Sequence, residues 1–161
     1  AMRAALLLVL ALAAAPAHAE AERASFFVID AIEGDNGEIA VGTLVREHGS
    51  SAAVRELGAA LVRDHAASKT EAIASAGQVG VGIPIAMTAP ARHLQRRLLK
   101  LAGPAFDKAF LTATIKDHRK IIAKFEEQRR SGDAVTKKLA EDALPRLSDH
   151  LRVALSLQSG G

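Results

Sequence analysis

The sequence predicts an all-α protein built from four long helices. Apolar residues recur at helical spacing over four long stretches, and no stretch alternates with the period of two that is typical of strands. Short groups of Gly, Ser and Asp separate two pairs of these stretches, at 49–51 and 131–133, while the Gly- and Pro-containing segment at 78–88 cannot continue a helix. These spacings predict two antiparallel helical hairpins joined by one long connection.

The first residues are typical of a secretory signal peptide. Arg3 precedes an apolar run at 4–15, and a proline and an A-x-A cleavage site follow, ending at Ala19. The apolar run is shorter than the roughly 20 residues that cross a bilayer. We therefore predict a signal peptide at 1–19 and one mature domain at 20–161, exported to the periplasm or cell envelope, with no integral membrane segment after signal removal.

The first hairpin is predicted within residues 25–77. We expect its first helix to begin at Ser25, a residue type that caps helices, and to end near His48. Its interior contains Gly34 and Gly37, each of which costs about 1 kcal/mol relative to alanine, so a kink or break there is an alternative to a continuous helix. The second helix is predicted over 52–76, with Gly77 as its end.

The second hairpin follows a short helix predicted at 89–102, whose basic residues are expected to face solvent. The third helix is predicted over 104–130, with Asp107 placed to favour the positive end of its dipole. The fourth helix is predicted over 134–157, and Pro145 inside it should produce a kink. The link at 78–103 is long enough to cross the length of a bundle. The expected fold is therefore a ferritin-like four-helix bundle, with a long crossover that contains a short helix between helices 2 and 3.

The composition excludes several kinds of site. The net charge is only +3, and the chain has no Trp and no Tyr to stack on bases, so we expect no nucleic-acid partner. It also has no Cys, which excludes disulfides, thiolate ligands and thiol nucleophiles. No nucleophile elbow, phosphate loop or dinucleotide fingerprint is present, so the sequence names no reaction and leaves open whether the protein is an enzyme.

Three Asp-His pairs, one on each of three predicted helices, are the chemically distinctive feature of the chain. Each histidine continues an apolar row on its helix, so each imidazole is expected to face the core. We predict a metal site with one ligand from each long helix: Glu38, His65, His118 and His150. The preceding aspartates lie about 100° round each helix and are expected to orient imidazoles of neighbouring helices: Asp64, Asp117 and Asp149.

Imidazoles with one carboxylate suit a transition metal ion such as Zn, Cu(II) or Fe. Di-iron sites in helical bundles use a Glu-x-x-His pattern. Here the residues three positions before the histidines are apolar, Val62, Ile115 and Leu147, so a di-iron site is disfavoured. Counted from the helix ends, the predicted ligands differ in their position along the bundle axis by about 6–8 Å, which is the weak point of this metal-site prediction. The alternative hypothesis is a structural or partner-binding bundle of the cell envelope, in which these histidines and aspartates form a buried hydrogen-bonded network without metal.

The order of these residues resembles that of the bacterial family called domain of unknown function 4142. The resemblance covers about residues 25–157 and rests on the following positions: Glu38, Arg63-Asp64-His65, Gly103, Phe106-Asp107, Asp117-His118, Leu144-Pro145 and His150-Leu151. It implies an exported, ferritin-like four-helix domain, and it implies no known reaction. Phe110 stands where the family often has an aromatic hydroxyl, so no tyrosine can be given a redox role.

Overall fold

The computed structural model describes the backbone of residues 2–160 and the side chains of residues 17–160. Within that part the all-α prediction is confirmed, with no strand and five helices: α1 (Met2–His48), α2 (Ala52–Val79), α3 (Ala89–Leu98), α4 (Gly103–Ser131) and α5 (Ala134–Ser159). No helix in the described residues is both long and apolar enough to cross a membrane. Most side chains of the predicted signal peptide lie outside the described residues.

Three predicted helix ends were wrong. The short helix predicted over 89–102 ends at Leu98. Ser25 lies inside α1, where its hydroxyl donates a hydrogen bond to the Ala21 carbonyl at 2.9 Å instead of capping a new helix. α2 continues past Gly77 and ends at Val79, and the residue that caps it, Gly80, has a φ of 75°, a left-handed conformation that glycine adopts without strain.

Three glycines inside the first two helices, Gly37, Gly42 and Gly58, mark close approaches between helices. A Cβ on Gly58 would lie 2.7 Å from the Arg46 nitrogen and 2.9 Å from the Gly42 oxygen, so α1 and α2 meet here almost backbone to backbone. A Cβ on Gly37 would lie 2.5 Å from the Ala91 Cβ of α3. α1 runs unbroken through the segment at 34–37. Gly37 does not break the helix there; its lack of a side chain lets α3 approach α1 closely.

We expect Gly58→Ala to lower the free energy of unfolding by about 1–3 kcal/mol, because the added methyl overpacks a backbone contact. Gly77→Ala is the matched control, since Gly77 is helical and has nothing within 4 Å of its added Cβ. That change should raise stability by up to about 1 kcal/mol through helix propensity. Urea unfolding of both variants measures the difference, and a stabilised Gly58→Ala would contradict the close approach.

Asp107 holds the two hairpins together at one end. Its carboxylate accepts hydrogen bonds from the backbone N–H groups of Ser50 and Ser51, at 2.7 and 2.9 Å. This places the start of α4 beside the turn between α1 and α2. The prediction that Asp107 serves its own helix was wrong, because its carboxylate binds amides at the N-terminal end of α2.

The core consists of two apolar clusters with a polar layer between them. α1 packs along α2, α4 along α5 and α2 against α5, while the short α3 contacts α1 and α4. One cluster contains Phe27, Ile32, Ala72, Phe125 and Leu147, and the other contains Val41, Leu61, Phe110, Ile115 and Ala154. Each of the four long helices contributes residues to both clusters. The part of each helix that lies between the two clusters therefore passes through the polar layer. The histidines lie in that layer.

Candidate metal centre

The polar layer brings His65 of α2, His118 of α4 and His150 of α5 together. One ring nitrogen from each histidine lies within 4.8 Å of those of the other two. The rings are buried, with residue exposures of 5%, 0% and 3%. Three imidazoles at this distance are a donor set of the kind that binds Zn, Cu or Fe once their ligating nitrogens are unprotonated.

Each of these imidazoles is held by an oxygen at its other nitrogen. His65 Nδ1 donates to Asp35 Oδ1 at 2.8 Å, and His118 Nδ1 donates to the Thr114 carbonyl at 3.1 Å. His150 Nε2 donates to Asp64 Oδ2 at 2.9 Å. Carboxylate and carbonyl oxygens accept here, so in the neutral form of each ring the remaining nitrogen carries a lone pair, and the ring has the tautomer and orientation typical of a metal-bound histidine.

Two of the remaining nitrogens face one another. His118 Nε2 and His150 Nδ1 are 3.4 Å apart. His118 Nδ1 and His150 Nε2 donate to oxygens, so His118 Nε2 and His150 Nδ1 each carry a lone pair when the rings are neutral. These two lone pairs repel each other unless a cation lies near both. Nitrogens bound tetrahedrally to one zinc ion at 2.0–2.1 Å are about 3.3 Å apart, so this spacing fits a shared metal.

Electrostatics keep two of the three rings neutral. Burial, followed by the nearby charges of His65 and His150, lowers the pKa of His118 to about 3. Burial also lowers the pKa of His150, against the opposing effect of Asp64. Burial alone would lower the pKa of His65, but Asp35, Glu38 and Asp64 outweigh it and raise that pKa. Of the three histidines in the polar layer, His65 is therefore the one that most readily takes up a proton and a positive charge.

A cavity of about 410 Å³ opens beside this cluster. His65 and His150 line it, and His118 does not. Glu38 also lines it, half-buried and close enough to His65 for their charges to interact, but outside the 4.8 Å cluster of the three histidines. Burial raises the pKa of Glu38, and the nearby charges of Asp117 and Asp35 raise it further, against the opposing effect of His65.

The predicted aspartates have three different surroundings. Asp64 binds His150 of a neighbouring helix, as expected for an orienting carboxylate. Asp117 lines the cavity and has no hydrogen bond to a histidine among the described residues. Asp149 is exposed and pairs with Arg152 on its own helix.

Asp35 was missed by the sequence reasoning. It is 5% exposed and binds His65, yet it lies in the Gly-Asp-Asn-Gly segment, whose composition indicates a break. Its spacing could have identified it, because Asp35 and Glu38 are three residues apart and share one face of α1. On the face of α1 that carries Asp35 and Glu38, Asp35 is the residue that hydrogen-bonds to His65 of α2.

Comparisons with known proteins return a family and no individual relative. No curated protein and no solved structure matches this chain. A family model described as Domain of unknown function (DUF4142) matches residues 9–157, most of the chain. The protein therefore belongs to the DUF4142 family, whose description names no activity.

Proposed function

We propose that this protein is an exported metal-binding protein whose transition metal ion is bound by His65, His118 and His150. The observation that carries the proposal is the convergence of three imidazoles whose outer nitrogens are held by oxygens. His65 Nε2 is buried and has no partner among the described residues, which a metal ligand would explain. Neutral rings at His118 and His150 also favour ligation, because only an unprotonated nitrogen binds a metal.

We assign Glu38 as a fourth, carboxylate ligand that reaches the metal by a change of side-chain rotamer. It lines the same cavity as two of the histidines, and a metal would add positive charge beside a carboxylate whose pKa burial raises. Asp64 and Asp35 orient two of the rings, and Asp117 contributes negative charge at the cavity. The donor set of three imidazoles and one carboxylate suits Zn, Cu(II) or Fe.

The rest of the proposal concerns architecture and location. We propose a ferritin-like four-helix bundle of α1, α2, α4 and α5, with α3 in the crossover, since these helices pair as two hairpins around one polar layer. We also propose a signal peptide at 1–19 and a periplasmic or cell-envelope location. Intact mass of protein secreted from the full-length gene tests this part, and a mass that retains residues 1–19 would contradict it.

The competing function is a structural or partner-binding bundle whose histidines form a metal-free polar network. Titration of chelator-treated, untagged protein with Zn(II), Cu(II) and Fe(II) separates the two by calorimetry. We expect one equivalent of at least one ion to bind tightly and to raise the melting temperature. No binding of any of the three ions, with unchanged melting, would favour the polar network.

Metal affinity should fall as the pH falls. The pKa of His65 is raised, so near and below that pKa the ring holds a proton that the metal must displace. One displaced proton weakens the apparent affinity about tenfold for each pH unit below this pKa. His118, with a pKa of about 3, adds no dependence above pH 5. Calorimetric titrations between pH 5 and 8 measure the slope, and a constant affinity would contradict ligation by His65.

A further inference from the structure

The segment between α2 and α4 carries positive charge and no negative charge. No Asp or Glu occurs between Glu71 and Asp107. The same stretch contains four cations, and all of them are exposed: Arg92, Arg96, Arg97 and Lys100. Among the described residues none of the four pairs with a carboxylate, and the two that have a side-chain partner bind the Met87 carbonyl and His93. Cations without neighbouring carboxylates produce a positive potential at the surface.

These cations share the outer face of α3 with a large apolar side chain. At helical spacing the exposed residues fall into two adjacent rows: Arg92, Arg96 and Leu99, and His93, Arg97 and Lys100. Leu99 and Lys100 follow α3 directly, in hydrogen-bonded turns that continue it. Leu99 is 66% exposed, whereas Leu94 and Leu98 belong to the core side of the same helix. The outer face of α3 therefore combines positive charge with an exposed leucine.

A second apolar side chain is held in solvent just before α3. Ile85 is 98% exposed, although the backbone on both sides of it is anchored. The Asn36 amide donates hydrogen bonds to the carbonyls of Pro84 and Ala86, at 3.2 and 2.8 Å. The Cα of Ile85 lies at most about 14 Å from that of Ala89, where α3 begins. Isolated apolar side chains are common at protein surfaces, but this one is fixed beside an unpaired positive face.

We propose that this face docks on the surface of an anionic phospholipid bilayer. The docking face consists of two apolar residues and four cations: Ile85, Leu99, Arg92, Arg96, Arg97 and Lys100. A bilayer presents phosphates above an apolar layer, so the cations meet the phosphates while Ile85 and Leu99 enter the boundary of the apolar layer. None of these residues belongs to the metal centre, so the docking face goes beyond metal binding and acts without it.

The combination of charge and apolar side chains distinguishes a bilayer from other anionic partners. A soluble acidic polymer would pair with the cations and leave Ile85 and Leu99 in water. A nucleic acid would favour aromatic side chains that stack on bases, and the chain has no Trp and no Tyr. The exposed isoleucine and leucine gain only from a partner that has an apolar layer beneath its charges.

Cosedimentation of purified, untagged protein with lipid vesicles tests the proposal. The vesicles contain equal parts of phosphatidylcholine and phosphatidylglycerol, or phosphatidylcholine alone. At low ionic strength we expect binding to the mixed vesicles to be tighter by about tenfold or more, and high salt should remove this excess. The absence of an excess would overturn the proposal. Soluble polyglutamate that binds as tightly as the mixed vesicles would also overturn it, and would indicate an acidic macromolecule instead.

Two arginines test the charge of the docking face. Arg96→Gln combined with Arg97→Gln should weaken binding to the mixed vesicles by about tenfold or more. Arg129→Gln combined with Arg130→Gln is the charge-matched control, because these two exposed arginines pair with Glu126 and Glu127 at the end of α4. Equal losses in the two double variants would overturn the proposal, since they would reflect net charge alone.

Ile85→Ser tests the apolar contact. Its removal should weaken binding to the mixed vesicles by about fivefold or more and leave binding to polyglutamate unchanged. Phe26→Ser is the control, because Phe26 is another exposed apolar residue and lies on α1, outside the docking face. All the substituted side chains are exposed, so the melting temperatures should stay close to that of the unmodified protein. Full affinity in Ile85→Ser, or an equal loss in Phe26→Ser, would overturn the proposal.

Discussion

His118→Ala should abolish tight metal binding and the stabilisation that depends on it. His118 is fully buried and presents Nε2 at 3.4 Å from His150 Nδ1, so its removal takes away one of the three proposed ligands. A metal that binds only the folded state at a thousandfold excess over its Kd stabilises the protein by about 4 kcal/mol, and this gain should disappear. Thermal melts with and without chelator measure it.

His93→Ala is the control for this variant. His93 is exposed on α3 and contacts Arg96, so its removal should change neither metal binding nor stability. A metal-free polar network gives a different pattern. In that case His118→Ala would destabilise the protein by about 1–3 kcal/mol, equally with and without chelator, because buried partners are left unsatisfied.

Asp35→Ala should weaken metal binding by about 10- to 100-fold while leaving the stoichiometry at one. Asp35 accepts the hydrogen bond from His65 Nδ1, so its loss frees the ring to rotate and reduces the basicity of the ligating nitrogen. The variant also leaves a buried Nδ1–H unpaired, which should destabilise the metal-free protein by about 1–3 kcal/mol. Calorimetric titration and urea unfolding measure the two effects.

Asp149→Ala provides the matched control on another Asp-His pair. The Asp149 carboxylate is exposed and pairs with Arg152, so its removal should leave the metal affinity within about twofold of the unmodified protein. Equal losses in Asp35→Ala and Asp149→Ala would contradict the orienting role of Asp35. They would indicate a general electrostatic effect of acidic residues instead.

Helical periodicity was sufficient to find the histidines. Each one continues an apolar row, and side chains three and four apart share a helix face, so the inward direction of His65, His118 and His150 follows from local sequence. The order of the helices also follows from local signals, because Ser51 and Asp133 cap α2 and α5 where turns were predicted.

Partners across helices could not be predicted in the same way, because they depend on how helices align along their axes. Asp35 and His65 are both about 20 Å from the turn between α1 and α2, whereas Glu38 lies one turn nearer to it. Counting from helix ends gave depth differences of about 6–8 Å, yet His118 Nε2 and His150 Nδ1 lie 3.4 Å apart. The break between the two apolar clusters along each helix is a better guide to the depth of the site. All four long helices pass through the polar layer at that break.

Metal analysis of purified, untagged protein tests the central claim most directly. We predict close to one equivalent of Zn, Cu or Fe per chain in the unmodified protein. The metal should be lost from His118→Ala and retained in His93→Ala. Sub-stoichiometric metal in every preparation of the unmodified protein, together with melting that Zn, Cu and Fe salts do not change, would contradict a metal centre at His65, His118 and His150.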